Sequence, residues 1–170
     1  MAGSPARNRV KFRKILAPTD FSEASKAGLE MARDLAEISD GEIFLLFIEE
    51  PVWDQNLAEE IKNILQDYNK ALHQHAENTL KEMTTQGTLA NVRASVLIGE
   101  GHAVESILRV AEEKKVDLIC MATRGWGNQE PSGSITERVV RNSPVPVLVV
   151  PCPCKLEGSK IRRPMGVEEE

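Results

Sequence analysis

The sequence contains no apolar run long enough to cross a membrane. Its longest uninterrupted run of large apolar residues, Ile43 to Ile48, has six residues, whereas a spanning helix needs about 20. The opening residues, MAGSPARNRVKFRK, are basic but have no apolar core behind them, so a secretory signal is not visible either. These features predict a cytoplasmic protein.

Cysteine is scarce as well. Three cysteines in 170 residues do not make a disulfide framework. Cys120 lies in an apolar run and is expected to be a buried core residue, because free cysteine packs as a small hydrophobe. Cys152 and Cys154 have no neighbouring Cys or His pair to complete a tetrahedral site, so we expect two exposed thiols and no metal.

Signatures of catalysis are missing too. No Walker A sequence occurs, and Gly125-Trp126-Gly127 lacks the third glycine of a dinucleotide fingerprint. His73 and His75 are two residues apart on a predicted helix and point in different directions, so they cannot share a metal. No catalytic residue is predicted, and we expect the chain not to be an enzyme.

Strands and helices alternate along the chain, which predicts an α/β fold with a mainly parallel sheet and helices on both faces. Ser22 is expected to cap the first helix, and Asp40-Gly41 to end it. The strands are expected at Ile15–Ala17, Ile43–Ile48, Val92–Ile98, Val116–Met121 and Pro146–Val150.

Each helix should bury one apolar stripe. The first helix is expected to bury Ala24, Ala27, Met31, Leu35 and Ile38; the long second helix Leu57, Ile61, Ile64, Tyr68, Leu72 and Met83; the third Val104, Ile107, Leu108 and Ala111; the last Ile135, Val139 and Val140.

A single domain is expected. Residues 1–10 are predicted to be a disordered leader, residues 11–152 the folded domain, and residues 153–170 a disordered polar tail. The formal net charge of −5 would repel a phosphate backbone, which disfavours nucleic acid as a partner but still permits a small anion at a local site.

The most informative stretch runs from Val116 to Val150. A buried strand is followed by Arg124-Gly125, a short loop, Gly133-Ser134 and a helix. A helix that begins after a flexible loop presents unpaired backbone N–H groups and partial positive charge. This arrangement predicts an anion-binding turn.

The same stretch resembles the second half of the universal stress protein (UspA) domain. Two other blocks, KILAPTDFS at Lys14–Ser22 and IGEGHAVESILRVA at Ile98–Ala111, resemble that family's first strand and its third strand-to-helix turn. The resemblance covers Phe12 to Pro151. It implies a Rossmann-like, open five-stranded sheet of order 3-2-1-4-5 and a stress-response binding or regulatory module.

The resemblance also implies a site for an adenine nucleotide, ATP or AMP, with Mg²⁺ only if ATP is bound. In the family, the end of the first strand contacts adenine and ribose, the end of the second packs on the base, and the glycine loop with its serine holds phosphates. Carried over by position, the site residues are Pro18, Thr19, Asp20, Ile48, Met121, Arg124, Gly125, Gly133, Ser134 and Ile135.

Two departures from the family's nucleotide-binding pattern leave an alternative open. Ala122 stands where that pattern has glycine, and seven rather than nine residues separate Gly125 from Gly133. Trp126 in this loop suits a lid or a base-stacking residue, and equally an exposed loop aromatic or a dimer contact. The alternative is a nucleotide-independent homodimeric interaction protein of the same fold.

The last strand predicts self-association. In the order 3-2-1-4-5, Pro146–Val150 is an edge strand that is apolar on both faces, and such an edge can pair with another chain. We expect a homodimer whose interface centres on Val147, Leu148 and Val149.

Overall fold

Strands and helices alternate in the computed structural model, which describes residues 12–50, 59–123 and 135–151. In chain order the elements are β1 Lys14–Thr19, α1 Glu23–Ser39, β2 Glu42–Glu49, α2 Glu59–Thr85, β3 Arg93–Glu100, α3 Ala103–Lys114, β4 Leu118–Ala122, α4 Ile135–Asn142 and β5 Val147–Val150.

The five strands form one sheet in the order β3-β2-β1-β4-β5. The paired strands are parallel, with Leu16 opposite both Phe44 of β2 and Ile119 of β4. The predicted fold class and strand order are therefore confirmed. The chain leaves β1 towards β2 and later crosses back to β4, so the carboxyl ends of β1 and β4 flank the point where the strand order reverses.

Helices cover both faces of the sheet, as predicted. Residues Ile15, Ala17 and Cys120 belong to one buried cluster with side chains of α1 and α2. Leu16 and Met121 belong to a second cluster with side chains of α3 and α4. Because side chains alternate along a strand, neighbouring residues of one strand serve different cores.

The predicted ends of α1 are confirmed. The Ser22 hydroxyl accepts a hydrogen bond from the backbone N–H of Ser25, and Asp40 ends the helix with left-handed dihedrals and an N–H bond to the carbonyl of Ala36. The Ser22 side chain thus caps the N-terminus of α1, and the backbone of Asp40 caps its C-terminus.

The predicted stripe of α1 was wrong at two positions, whereas Leu35 packs against the core as expected. Met31 is 37% and Ile38 85% exposed. The buried face consists mostly of small residues, because α1 crosses β4 closely and only short side chains fit between the two backbones. Its members are Ser25, Gly28, Leu29, Ala32 and Ala36.

The first half of α2 also departs from prediction. Ile61, Ile64 and Tyr68 are exposed, whereas Ala76 and Leu80 are buried. His73 contacts Glu49 at the end of β2, so the helical turns before it extend past the described sheet, and none of its five strands packs on them.

The last helix buries a narrower stripe than expected. Val139 is fully buried, as predicted, and Thr136 is buried with it, but Ile135 and Val140 are exposed. In α3, Val104, Ile107 and Ala111 are buried as predicted, while Leu108 is only partly buried and packs at the margin of the core.

Among the described residues, no helix is both long and apolar enough to span a membrane.

Candidate functional site

Three of the predicted site residues lie on one face of the sheet at the reversal of strand order. Pro18 lies opposite Leu46 of β2, and Met121 lies two residues beyond Ile119, the partner of Leu16. Ile48 packs against the same cluster that contains Leu16 and Met121. Alternation places Pro18 on that face too, so Pro18, Ile48 and Met121 lie on one face of the sheet, near the carboxyl ends of β1, β2 and β4.

Asp20 lies directly after β1, in a turn that is held by its own side chain. Its Oδ1 atom accepts a hydrogen bond from the backbone N–H of Ser22 at 3.1 Å and from the Ser22 hydroxyl at 2.6 Å. Asp20 itself is exposed. The turn therefore presents a fixed carboxylate at the carboxyl end of β1.

Thr19 faces the other side of the sheet. Its side chain is buried, its Oγ1 lies 3.1 Å from the Ser25 hydroxyl, and it accepts a hydrogen bond from the backbone N–H of Phe21 at 3.1 Å. Phe21 has a φ of 62°, in the left-handed region. The Thr19 side chain therefore stabilises the turn that displays Asp20, and only its backbone borders the crevice.

The end of β4 is tied to its neighbours by two hydrogen bonds. The Thr136 hydroxyl donates to the carbonyl of Ala122 at 2.8 Å, and the backbone N–H of Thr123 donates to the carbonyl of Val150 at 2.9 Å. The first bond joins the start of α4 to the end of β4. The two ends of the intervening loop are thereby fixed to one another.

The loop itself lies outside the described residues. It contains four of the predicted site residues, Arg124, Gly125, Gly133 and Ser134, together with Trp126. The fifth, Ile135, begins α4 and is 48% exposed. Across residues 12–50, 59–123 and 135–151, no group of three or more His, Cys, Asp or Glu side chains could hold a metal ion.

The last strand is an edge strand, as predicted. β5 pairs only with β4 within the described sheet, and all four residues Val147–Val150 are partly exposed. Ile135 and Val140 of the neighbouring helix α4 are exposed as well. The β5 edge and these two side chains of α4 are therefore apolar groups that the described part of the chain leaves uncovered.

A buried carboxylate at the end of β2 was not predicted. The side chain of Glu49 is only 9% exposed, and its Oε2 lies 3.0 Å from Nδ1 of His73 on α2. The sequence contains little signal for this pair, because Glu49 continues an apolar strand and His73 is 24 residues further along the chain.

These features define a class of protein, an open parallel α/β sheet whose strand order reverses between β1 and β4. The universal stress protein family model matches residues 11–151. The chain belongs to the universal stress protein family.

Individual relatives agree. A universal stress protein of Methanocaldococcus jannaschii is 32% identical over 162 residues, covering 83% of this chain and 96% of that protein. The solved structure of UspA from Lactobacillus plantarum matches with a TM-score of 0.72 at 22% identity, covering 82% of this chain and 98% of that one.

Two solved structures of the same fold contain nucleotides. One is a universal stress protein in complex with cAMP, with a TM-score of 0.61, 18% identity and coverage of 84% of this chain and 98% of that one. The other is a universal stress protein from Archaeoglobus fulgidus in complex with dAMP, with a TM-score of 0.57, 14% identity and coverage of 83% and 98%. At these identities the likeness establishes the fold alone.

Proposed function

We propose that this universal stress protein is a binding and regulatory module, rather than an enzyme, and that it binds an adenine nucleotide at the switch point of its sheet. The observation that carries the proposal is the joint position of Pro18, Ile48 and Met121 on one face, next to the fixed carboxylate of Asp20. The cAMP and dAMP complexes of proteins with this fold support the choice of ligand class.

The proposed division of labour follows from the chemistry of the residues. A flat base is bound by apolar contacts, which the surface of Pro18, Ile48 and Met121 offers. Ribose hydroxyls are hydrogen-bond donors, and Asp20 is an acceptor at the edge of that surface. We place the phosphates at Gly125, Gly133 and Ser134, because Gly133 and Ser134 directly precede α4 in the chain and a helix N-terminus offers backbone N–H donors to an anion.

AMP and ATP differ in what they require of this site. Both share the adenine and ribose contacts, while ATP needs charge compensation for two further phosphates, for which Arg124 and a bound Mg²⁺ are suited. We therefore propose AMP or ATP as ligand, with Mg²⁺ only in the second case, in a cytoplasmic protein.

Assembly is the second part of the proposal. The edge of β5 and the exposed Ile135 and Val140 of α4 favour a homodimer in which β5 pairs with the β5 of another copy across a two-fold axis. Val147, Leu148 and Val149 would form its centre. This surface would also be the working part of the alternative protein, one that does not depend on nucleotide.

The deciding experiment begins with protein purified without added nucleotide. Denaturation of this protein should release AMP or ATP, which mass spectrometry identifies. Calorimetry of the protein from which nucleotide has been removed should then give a saturable isotherm with AMP, ATP or both. GTP is the matched control, because it has the same phosphates and a different base. If no nucleotide is released and neither adenine nucleotide titrates, the alternative interaction protein replaces this proposal.

A further inference from the structure

Glu49 and His73 join the carboxyl end of β2 to helix α2. The Glu49 side chain points to the α2 face of the sheet, where Oε2 meets Nδ1 of His73 at 3.0 Å. The carboxylate is 9% exposed and the imidazole 47% exposed. The pair therefore has one partner inside the protein and one at its surface, in contact with solvent protons.

The buried carboxylate depends on this one side chain. Among the described residues, Glu49 Oε1 has no hydrogen-bond partner, so His73 supplies the only side-chain bond found there for the carboxylate. A buried charge is costly unless it is paired. Protonation of His73 gives the carboxylate a partner of opposite charge, and a hydrogen bond between two ionised groups is stronger than one from a neutral imidazole.

The surroundings of His73 favour its protonated form. Three carboxylates act on the imidazole from three elements: Glu49 of β2, Glu77 one helical turn further along α2, and Glu100 of β3. The hydrogen bond to Glu49 is the largest cause that raises the pKa of His73 above its ordinary value of 6.5, and partial desolvation opposes it.

The backbone of Glu49 connects the pair to the candidate crevice. Its carbonyl accepts a hydrogen bond from the N–H of Gly101 at 2.9 Å, which fixes the turn after β3. Its neighbour Ile48 packs on the opposite face, against the cluster that contains Leu16 and Met121. A shift of the Glu49 backbone therefore moves both the Gly101 turn and Ile48.

We propose that Glu49 and His73 are a proton-dependent positioning pair, which holds the end of β2, and with it Ile48, in the conformation that binds the nucleotide. The role in binding rests on the proposed function, whereas the role in holding β2 does not. Protonated His73 keeps the carboxylate inside. When His73 loses its proton, the carboxylate loses its charged partner, and the end of β2 and the Gly101 turn loosen.

The sign of the effect follows from the direction of the shift. Since the folded-state pKa of His73 is raised, the stabilisation is complete below the unfolded value of 6.5 and is lost as pH rises through the folded-state value. Nucleotide affinity should therefore decrease from pH 6 towards pH 9.

The test compares the wild-type protein with H73Q and with H75Q, a matched control two residues along the same helix. The affinity for one adenine nucleotide is measured by calorimetry at several pH values. Titration of the nucleotide itself cancels when the proteins are compared at the same pH, because they all bind the same ligand. We expect H73Q to bind about fivefold more weakly than wild type at pH 6 and equally at pH 9. H75Q should follow wild type throughout. In the E49Q background, H73Q should change the affinity by the same factor at every pH.

Two measurements need no nucleotide. NMR of the imidazole should show His73 titrating above 6.5, and closer to 6.5 in E49Q. The second measurement is the Gly101 ratio, which is the hydrogen-exchange protection of the Gly101 amide in wild type divided by that in H73Q at the same pH. This ratio should fall between pH 6 and pH 9. A His73 that titrates at or below 6.5, or a Gly101 ratio that is constant with pH, would overturn the pair. Absence of nucleotide binding at every pH would refute the proposed function and leave these two measurements to decide the anchoring of β2.

If the ratio of H73Q to wild-type affinity is the same at every pH, the charge of His73 has no effect on binding. That result would also overturn the proposal. Circular dichroism at each pH checks that the variants remain folded.

Discussion

A Cβ atom placed on Gly28 would lie 2.9 Å from the backbone nitrogen of Ala122 and 3.0 Å from two backbone atoms of Met121. Helix α1 therefore crosses the end of β4 at a distance that only glycine permits. The contact is with backbone, which cannot rotate away as a side chain could. Met121 belongs to the candidate site, so the closeness of α1 to β4 also sets where that part of the crevice lies.

We predict that G28A destabilises the protein by about 1–3 kcal/mol, because the added methyl group must push α1 away from β4. The gain in helix propensity from alanine, up to about 1 kcal/mol, offsets part of this cost. Denaturant unfolding measures the difference. G99A is the matched control, since a Cβ there meets its nearest neighbour at 3.6 Å, an ordinary contact, and should change stability little. Equal effects of the two substitutions would contradict the close approach.

Thr136 provides a second test of the end of β4. In T136V the Ala122 carbonyl loses its hydroxyl donor in a buried setting, and we expect a loss of about 1–2 kcal/mol in the free energy of unfolding. T136S keeps the hydroxyl and should lose less. Nucleotide affinity should also decrease more in T136V than in T136S, because this bond holds the start of α4 against β4. If T136V were as stable as T136S, the bond would contribute nothing to the free energy of unfolding.

The thiol of Cys120 should be unreactive in the folded protein. Burial raises its pKa to about 12, and its Sγ lies 3.2 Å from the carbonyl oxygen of Gly28. In the C152S/C154S protein, which retains only Cys120, a thiol reagent at pH 8 should react no faster than the protein unfolds. The same protein in denaturant should react at once. Rapid labelling under native conditions would place Cys120 at the surface and contradict the structure.

The glycine loop can be tested although it lies outside the described residues. If phosphates bind at the start of α4, G133V should abolish nucleotide binding measured by calorimetry, because a branched side chain would obstruct the backbone donors. A122G should tighten binding if the methyl group obstructs the ligand. An unchanged affinity in G133V would exclude the loop, whereas an unchanged affinity in A122G would point to loop length as the limiting feature.

The proposed dimer predicts a concentration-dependent mass in analytical ultracentrifugation. V149K places a charge in the centre of the β5 edge and should shift the protein towards monomer; L148P should do so more strongly, because proline removes a backbone donor. I38S is the control, since it removes an apolar side chain that is 85% exposed on α1. A wild-type monomer at micromolar concentration, or a dimer that survives both β5 substitutions, would refute this interface.

Much of the architecture could be predicted from local sequence patterns. The all-apolar run Ile43–Ile48 is typical of a strand buried on both faces, and β2 contains it. Ser22 and Asp40 are residues whose side chain and backbone preferences act within one helical turn, so the ends of α1 were predictable as well. The strand order came from the resemblance of three blocks to a family, not from periodicity.

The sequence by itself therefore determined the elements, their succession along the chain and the position of Asp20 and Met121 near strand ends, because these depend on neighbours within a few residues. Only the tertiary structure decided which helical faces are buried. Small residues of α1 turn inward at Gly28 because a backbone crosses there, and Tyr68 stays exposed because no strand reaches it. The Glu49–His73 pair depends on the same cause: two groups 24 residues apart meet only after α2 has packed along the sheet.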